Sequence, residues 1–268
     1  MRATYPIILV SCLLIAVAIS SCCHRPVYFV VQQEELREVN MGSLFELHSQ
    51  FGKSEGVVTE MEYFATPVIK TESGSGKSGS LDDLSDSVTH LTWYRYREWP
   101  VRLPGLTRKV IFTNQFFSER EQEWEISMTP AYLLVPTDKD KVPGRNESMH
   151  FLCYKVLDPK PSHYDDFTLW DQIEPEGEDI KILLPKYFCI PVEKTREGIS
   201  SGSVDLYGEH LACYEVRTQQ GDLADRRPVT ISNQFDTDWR DLILRETYML
   251  CVPSRKVEVE VITKPVFE

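Results

Sequence analysis

Apolar positions along most of the chain alternate with polar ones at a period close to two rather than 3.6. Phe151-Leu-Cys-Tyr-Lys-Val156 and Val229-Thr-Ile-Ser-Asn-Gln-Phe235 show the pattern. Aromatic and β-branched residues are concentrated in these runs, as suits half-buried strands on a pleated surface. The pattern predicts strands throughout and an all-β fold. Only Gln32 to Arg37 has a helical look. Near the C-terminus, Asp241 to Pro253 reads as two strands folded back through Arg245-Glu246-Thr247, followed by a last alternating strand, Val257-Glu-Val-Glu-Val-Ile262.

The alternating runs recur. His90-Leu-Thr-Trp93-Tyr94, His150-Phe-Leu-Cys153-Tyr154 and His210-Leu-Ala-Cys213-Tyr214 are one pattern, with successive histidines 60 residues apart. Each is followed by Asn114-Gln115-Phe116, Asp171-Gln172-Ile173 or Asn233-Gln234-Phe235. Each closes on Leu134-Val-Pro136 with Lys139, Cys189-Ile-Pro191 with Lys194, or Cys251-Val-Pro253 with Lys256. A more diverged copy precedes them: His24-Arg-Pro-Val27-Tyr28, then Ser49-Gln50-Phe51, then Ala65-Thr-Pro67 with Lys70. Four tandem repeats of about 45 to 60 residues are therefore expected, each a small, sandwich-like antiparallel β unit. The expected boundaries are a signal peptide over 1–21, repeats over 22–70, 89–139, 149–195 and 209–268, and linkers over 71–88, 140–148 and 196–208. The closing prolines, which cannot donate to a ladder, suit strand ends or edges.

The seven cysteines fall into two groups. Near the N-terminus, an apolar run from Tyr5 to Ile19 is too short for a comfortable bilayer span and leads into Ser20-Ser21-Cys22. This segment resembles the bacterial lipoprotein export signal, in which the Cys after a small residue is acylated and becomes the mature N-terminus. That resemblance makes Cys22 the lipid anchor; a plain secretory peptide or an uncleaved anchor helix are the alternatives. Acyl chains on Cys22 would hold the protein to membrane lipid, facing the periplasm or the cell exterior. Export also places the other cysteines where disulfides persist. The Cys positions near the start and end of the last two copies are both lost in the first two, to Val27 with Ala65 and to Trp93 with Leu134. Joint loss selects Cys153 with Cys189 and Cys213 with Cys251 from the three connectivities four cysteines allow. Zinc is the competing reading, but no Cys-x-x-Cys or His-x(3–5)-His spacing exists.

Repetition argues for structure at the remaining polar positions. His24, His90, His150 and His210 could converge on a metal, or could bond their own unit's backbone at strand entries. Gln50, Gln115, Gln172 and Gln234 read as ties between loop and strand end, and Ser49, Asn114, Asp171 and Asn233 as turn formers. Lys70, Lys139, Lys194 and Lys256 read as exposed strand exits. Gly74-Ser-Gly-Lys77-Ser78 imitates a phosphate-binding loop but has Thr71 where the leading glycine belongs. Asn146-Glu-Ser148 is a glycosylation sequon only in a host that glycosylates its exports. The segments between the first strand and the Gln segment share neither length nor chemistry, so they are candidate binding loops, with Trp99, Arg102, Tyr164, Asp165 and Arg226 their most recognisable side chains.

Composition narrows the function. The chain is 42% hydrophobic and 11% aromatic, enough for packed cores, and its formal charge of -12 repels nucleic acid. The His-x-x-Cys-Tyr, Asn/Asp-Gln-Phe and Cys-Val-Pro-x-x-Lys segments together resemble an uncharacterised family of tandem β repeats in exported bacterial proteins, over essentially residues 24 to 256. The resemblance implies no activity and no cofactor. The expectation is a non-enzymatic envelope lipoprotein with a protein or glycan partner. The alternatives are an envelope hydrolase with a site between repeats and a metal binder using the repeat histidines.

Overall fold

A computed structural model describes residues 27–38, 44–74, 76, 89–100, 106–117, 120–141, 149–161, 166–196, 199–200, 209–218 and 228–263. Every regular element among them is a strand. In chain order they are β1 Val27–Glu38, β2 Phe45–Ser49, β3 Gly52–Glu72, β4 His90–Glu98, β5 Leu106–Asn114, β6 Gln122–Lys139, β7 His150–Val156, β8 Phe167–Trp170, β9 Glu178–Arg196, β10 Ile199–Ser200, β11 His210–Thr218, β12 Pro228–Asn233 and β13 Asp236–Thr263. Gln32 to Arg37, which looked helical, belongs to β1. The hairpin expected at Arg245-Glu246-Thr247 is absent, and one strand of 28 residues runs through it. β1 stays paired with β13 across the triplet, at Thr247 and Leu244, and that pairing outweighs the polar residues that suggest a turn.

The succession of a first strand, a short middle strand and a long strand occurs four times, and its pairing is the same each time. β1, β4, β7 and β11 each pair antiparallel with the long strand that follows, respectively β3, β6, β9 and β13. Each also pairs with the long strand that precedes it, and β1 pairs with β13. Eight strands therefore close into a ring without an edge, which removes the liability an open sheet would carry. The separate sandwich-like units expected from the repeats are not what forms. A three-strand unit has too little apolar surface to stand alone, and its neighbours complete it.

Side chains pack the ring interior. Two side chains from each of the eight strands fill it: Tyr28, Val30, Tyr63, Ala65, Leu91, Trp93, Tyr132, Leu134, Phe151, Cys153, Tyr187, Cys189, Leu211, Cys213, Met249 and Cys251. Contacts across it include Trp93 against Tyr187 at 6.0 Å and Tyr63 against Tyr132 at 5.7 Å between ring centroids. Residues of the opposite phase, such as Tyr94, Leu133, Leu152, Phe188 and Leu250, join a second core outside the ring. The short strands cover that outer face with Phe45, Leu47, Val110, Phe112, Phe167, Leu169, Val229 and Ile231.

Both expected disulfides are present, Cys153–Cys189 and Cys213–Cys251, with separations of 36 and 38 residues. Each joins directly opposed residues of neighbouring ring strands. The same register opposes Trp93 to Leu134 and Val30 to Ala65. Val30, not Val27, is thus the first-copy counterpart of the first cysteine. Counting back three residues puts Val27 at the position of the repeat histidine, opposite Val68 as His150 is opposite Val192. His24 lies outside the described residues, as does Cys22. The register makes a prediction. Val30→Cys with Ala65→Cys should form a third disulfide, detected by non-reducing peptide mapping. It should raise stability by up to about 4 kcal/mol in the chain-entropy model, whereas free thiols at both positions would contradict the assigned register.

Each short strand forms a hairpin with the long strand after it, and its other edge pairs with the far end of a long strand across the ring: β2 with β9, β5 with β13, β8 with β3 and β12 with β6. The recurrent prolines sit where the long strands change partner, and they do not end the strands. Pro191 falls between Cys189, the last partner of β11, and Val192, the first partner of β2. A residue with no N–H is cheapest at that switch. At the other end of the ring the ladders skip Glu62, Ala131, Lys186 and Tyr248, each at an irregularity in the register of its long strand.

Candidate functional site at one end of the ring

The recurrent polar residues meet between units. The amide nitrogen of Gln50 meets Nε2 of His210, and that of Gln234 meets Nε2 of His150. Lys139 donates to Gln172 at 3.2 Å, and Lys194 donates to Gln234. The lysines also lie over aromatic rings: Lys70 is 3.9 Å from the Phe167 centroid and 5.0 Å from that of Phe116, and Lys194 is 4.5 Å from that of Phe235. His90 and His210 stack on Phe64 and Phe188 of the preceding long strands, each at 5.5 Å. The lysines expected at exposed exits, and the histidines and glutamines expected to serve their own unit, are therefore latches between units. The copy with Val27 in place of histidine leaves Gln115 exposed. Among the described residues, no group of three His, Cys, Asp or Glu is placed to hold a metal ion.

The turn formers behave alike in all four copies. Ser49, Asn114, Asp171 and Asn233 each accept a hydrogen bond from the backbone N–H two residues on, at 2.7–3.0 Å. Asn114 and Asn233 also donate to Tyr214 and Tyr94 of the unit across the ring, each at 2.9 Å. Asp171 has Val31 at the corresponding position by register, and its Oδ2 is buried with no hydrogen-bond partner. Burial pushes its carboxyl up to about 6, against hydrogen bonds from the Glu174 and Ile173 N–H groups, with Glu174 and Glu178 adding repulsion. Burial pushes His90 the other way, down to about 3, with Lys139 nearby acting in the same sense.

The signs of the two effects are opposite. A raised Asp171 contributes stability below its unfolded value near 4 and loses it as pH rises through 6. A depressed His90 contributes stability above its unfolded value near 6.5 and loses it as pH falls towards 3. Asp171→Asn should therefore be more stable than the wild type at pH 7–8, by on the order of 1–3 kcal/mol, with the advantage gone by pH 4. Thermal melts across this range test it; a constant difference would show that Asp171 does not titrate as described.

The end of the ring that carries these irregularities gathers functional groups that the sequence did not single out. Tyr63, Tyr132 and Tyr187 close the ring interior, and Tyr248 stacks on Tyr63 at 5.1 Å. Glu62 lies among them with 9% of its side chain exposed and accepts 2.7 Å hydrogen bonds from Tyr132 Oη and Arg95 Nε. Burial raises the Glu62 carboxyl, but Arg95, Tyr132 and Tyr63 together hold it below the ordinary range; burial first, then Glu62 for Tyr63 and Tyr187 with Glu62 for Tyr132, push the two phenols well above theirs. Lys186 donates to Glu215 at 2.8 Å and lies 4.9 Å from the Tyr248 centroid. Glu62 therefore keeps its charge and Tyr63 and Tyr132 their protons at neutral pH, and the hydrogen-bonded cluster caps this end of the ring as a lid.

Beside the lid the sheet opens. The β4–β6 ladder ends at Arg95 opposite Tyr132, while β4 continues beside β3 to Glu98 opposite Gly56. A cavity of about 250 Å³ lies at this split, lined by Thr59, Arg95, Tyr96, Arg97, Glu98 and Thr129. Trp99 follows, 63% exposed. Of the candidate loop residues, Trp99 alone is described; Arg102, Tyr164, Asp165 and Arg226 lie outside the described residues. A signal for the lid was available: tyrosine stands two residues before Ala65, Leu134 and Cys189, and only repeat-aligned reading of the long strands would have shown it.

The fold and this end define an all-β, disulfide-braced protein whose open surface lies beside a closed ring. No family model, curated protein or solved structure matches the chain.

Proposed function

We propose that this chain is an exported, lipid-anchored protein of the bacterial cell envelope, built of tandem β repeats, that binds a partner through loops on a fixed scaffold and catalyses no reaction. The observation that carries this reading is the location of the two disulfides. All four cysteines are fully buried at the centre of the ring, so the pairs form as the ring forms, in a compartment that allows it. The N-terminal Ser20-Ser21-Cys22 supplies the anchor in this reading. The latches support a scaffold role, because the repeated histidines, glutamines and lysines are engaged in joining units. The experiment is metabolic labelling with a palmitate analogue in a bacterial host. Incorporation that is lost in Cys22→Ala is expected, and a wild-type chain that takes up no label removes the anchor from the proposal.

A further inference from the structure

We infer that the cavity at the split between β4 and β6, together with Trp99, is a binding site for a pyranose sugar carrying a carboxylate. The inference rests on the binding role proposed above and names its ligand class. Residues two apart on a strand share a face about 7 Å apart. On β4 that face begins inside the ring with Leu91 and Trp93 and continues outside it as Arg95 and Arg97, both exposed; Trp99, also exposed, follows directly after the end of the strand. Beyond Arg95 the strand has no β6 partner, and the cavity lies at that edge.

The chemistry of the site is specific. An exposed indole offers a flat apolar face that covers the C–H face of a pyranose ring, with a polar edge beside it. Arg95 is committed to Glu62 and Glu60, at 2.7 and 3.5 Å. Arg97 has no ion pair among the described residues, and its planar fork matches a carboxylate bidentately. Thr59 and Thr129 supply hydroxyls that both donate and accept, as sugar hydroxyls require. Glu60 and Glu62 lie against Arg95 and Glu98 lines the cavity, so these negative charges oppose a phosphate dianion more strongly than a single carboxylate.

Isothermal titration of the full-length protein in detergent tests the site, with a galacturonic acid trisaccharide as probe and the neutral galactose trisaccharide as comparison. Expected are saturable binding of the acidic sugar, at least about tenfold weaker binding of the neutral one, and a loss of about tenfold or more in both Arg97→Ala and Trp99→Ala. Trp239→Ala, which removes an exposed tryptophan on another strand, should bind as the wild type does. Absence of binding, equal affinity for both sugars, or unchanged binding in either site variant overturns the inference. Arg97 and Trp99 are exposed, so circular dichroism of the variants should match the wild type and keep the result readable. Palmitate labelling reads the anchor separately: a labelled protein that binds no acidic sugar keeps the envelope reading and loses this one.

Discussion

Replacing all four ring cysteines by alanine is expected to leave the protein largely unfolded at 37 °C. Each disulfide closes a loop of 36 or 38 residues, which the chain-entropy model values at about 4 kcal/mol, or about 8 kcal/mol for both. Domains commonly have only about 5–15 kcal/mol in total. Replacing one pair should leave a folded protein with a clearly lower melting temperature. The pairs must be changed together, because Cys189 and Cys213 lie 4.0 Å apart between the two bridges. Cys153→Ala alone would free the Cys189 thiol beside a neighbouring disulfide and invite exchange. Burial adds a kinetic expectation. A dithiol reductant without denaturant should leave all four sulfurs unmodified by a subsequent alkylating agent, since none is exposed. Rapid alkylation of the native protein, or a cysteine-free variant with wild-type stability, would show that the bridges are not the centre of the fold.

The strand class and the bridges were legible for one reason: both are properties of local pattern. Period-two alternation marks a strand wherever it occurs, and joint loss of Trp93 with Leu134 marks a pair without any knowledge of the fold. Ring closure was not legible. That β1 pairs with β13 is a contact between the two ends of the chain, and Tyr28 opposite Cys251 has no local signature. The latches failed for a related reason. Gln234 and His150 recur at fixed repeat positions, but recurrence cannot say whether a residue serves its own unit or the next. The first copy shows the limit of alignment by eye. His24 matched the motif letter, yet the bridge register sets Val30 opposite Ala65 and so moves the copy by three residues. The candidate site was half legible: Trp99 was named from loop chemistry, whereas Arg97 and the split in the sheet follow from where the β4–β6 ladder stops.

Trp93→Ala should be the most damaging single substitution in the ring, costing about 3–5 kcal/mol. Trp93 has no exposed surface and stands opposite Leu134, at the register where two other units place a disulfide. Its ring is 5.7 Å from Tyr132 and 6.0 Å from both Tyr63 and Tyr187, so it joins residues from three long strands. Alanine would remove those contacts from a closed ring that has little room to collapse inwards. Trp93→Phe should cost much less than alanine. Phenylalanine keeps most of the volume and also removes the indole Nε1, which is buried with no hydrogen-bond partner and so carries an unpaid desolvation cost. Denaturant melts of the two variants separate the effects: a large loss for alanine with a small one for phenylalanine identifies packing as the contribution of Trp93. Equal losses would assign the stability to an indole hydrogen bond, and a harmless alanine would mean that the ring interior is not filled as described.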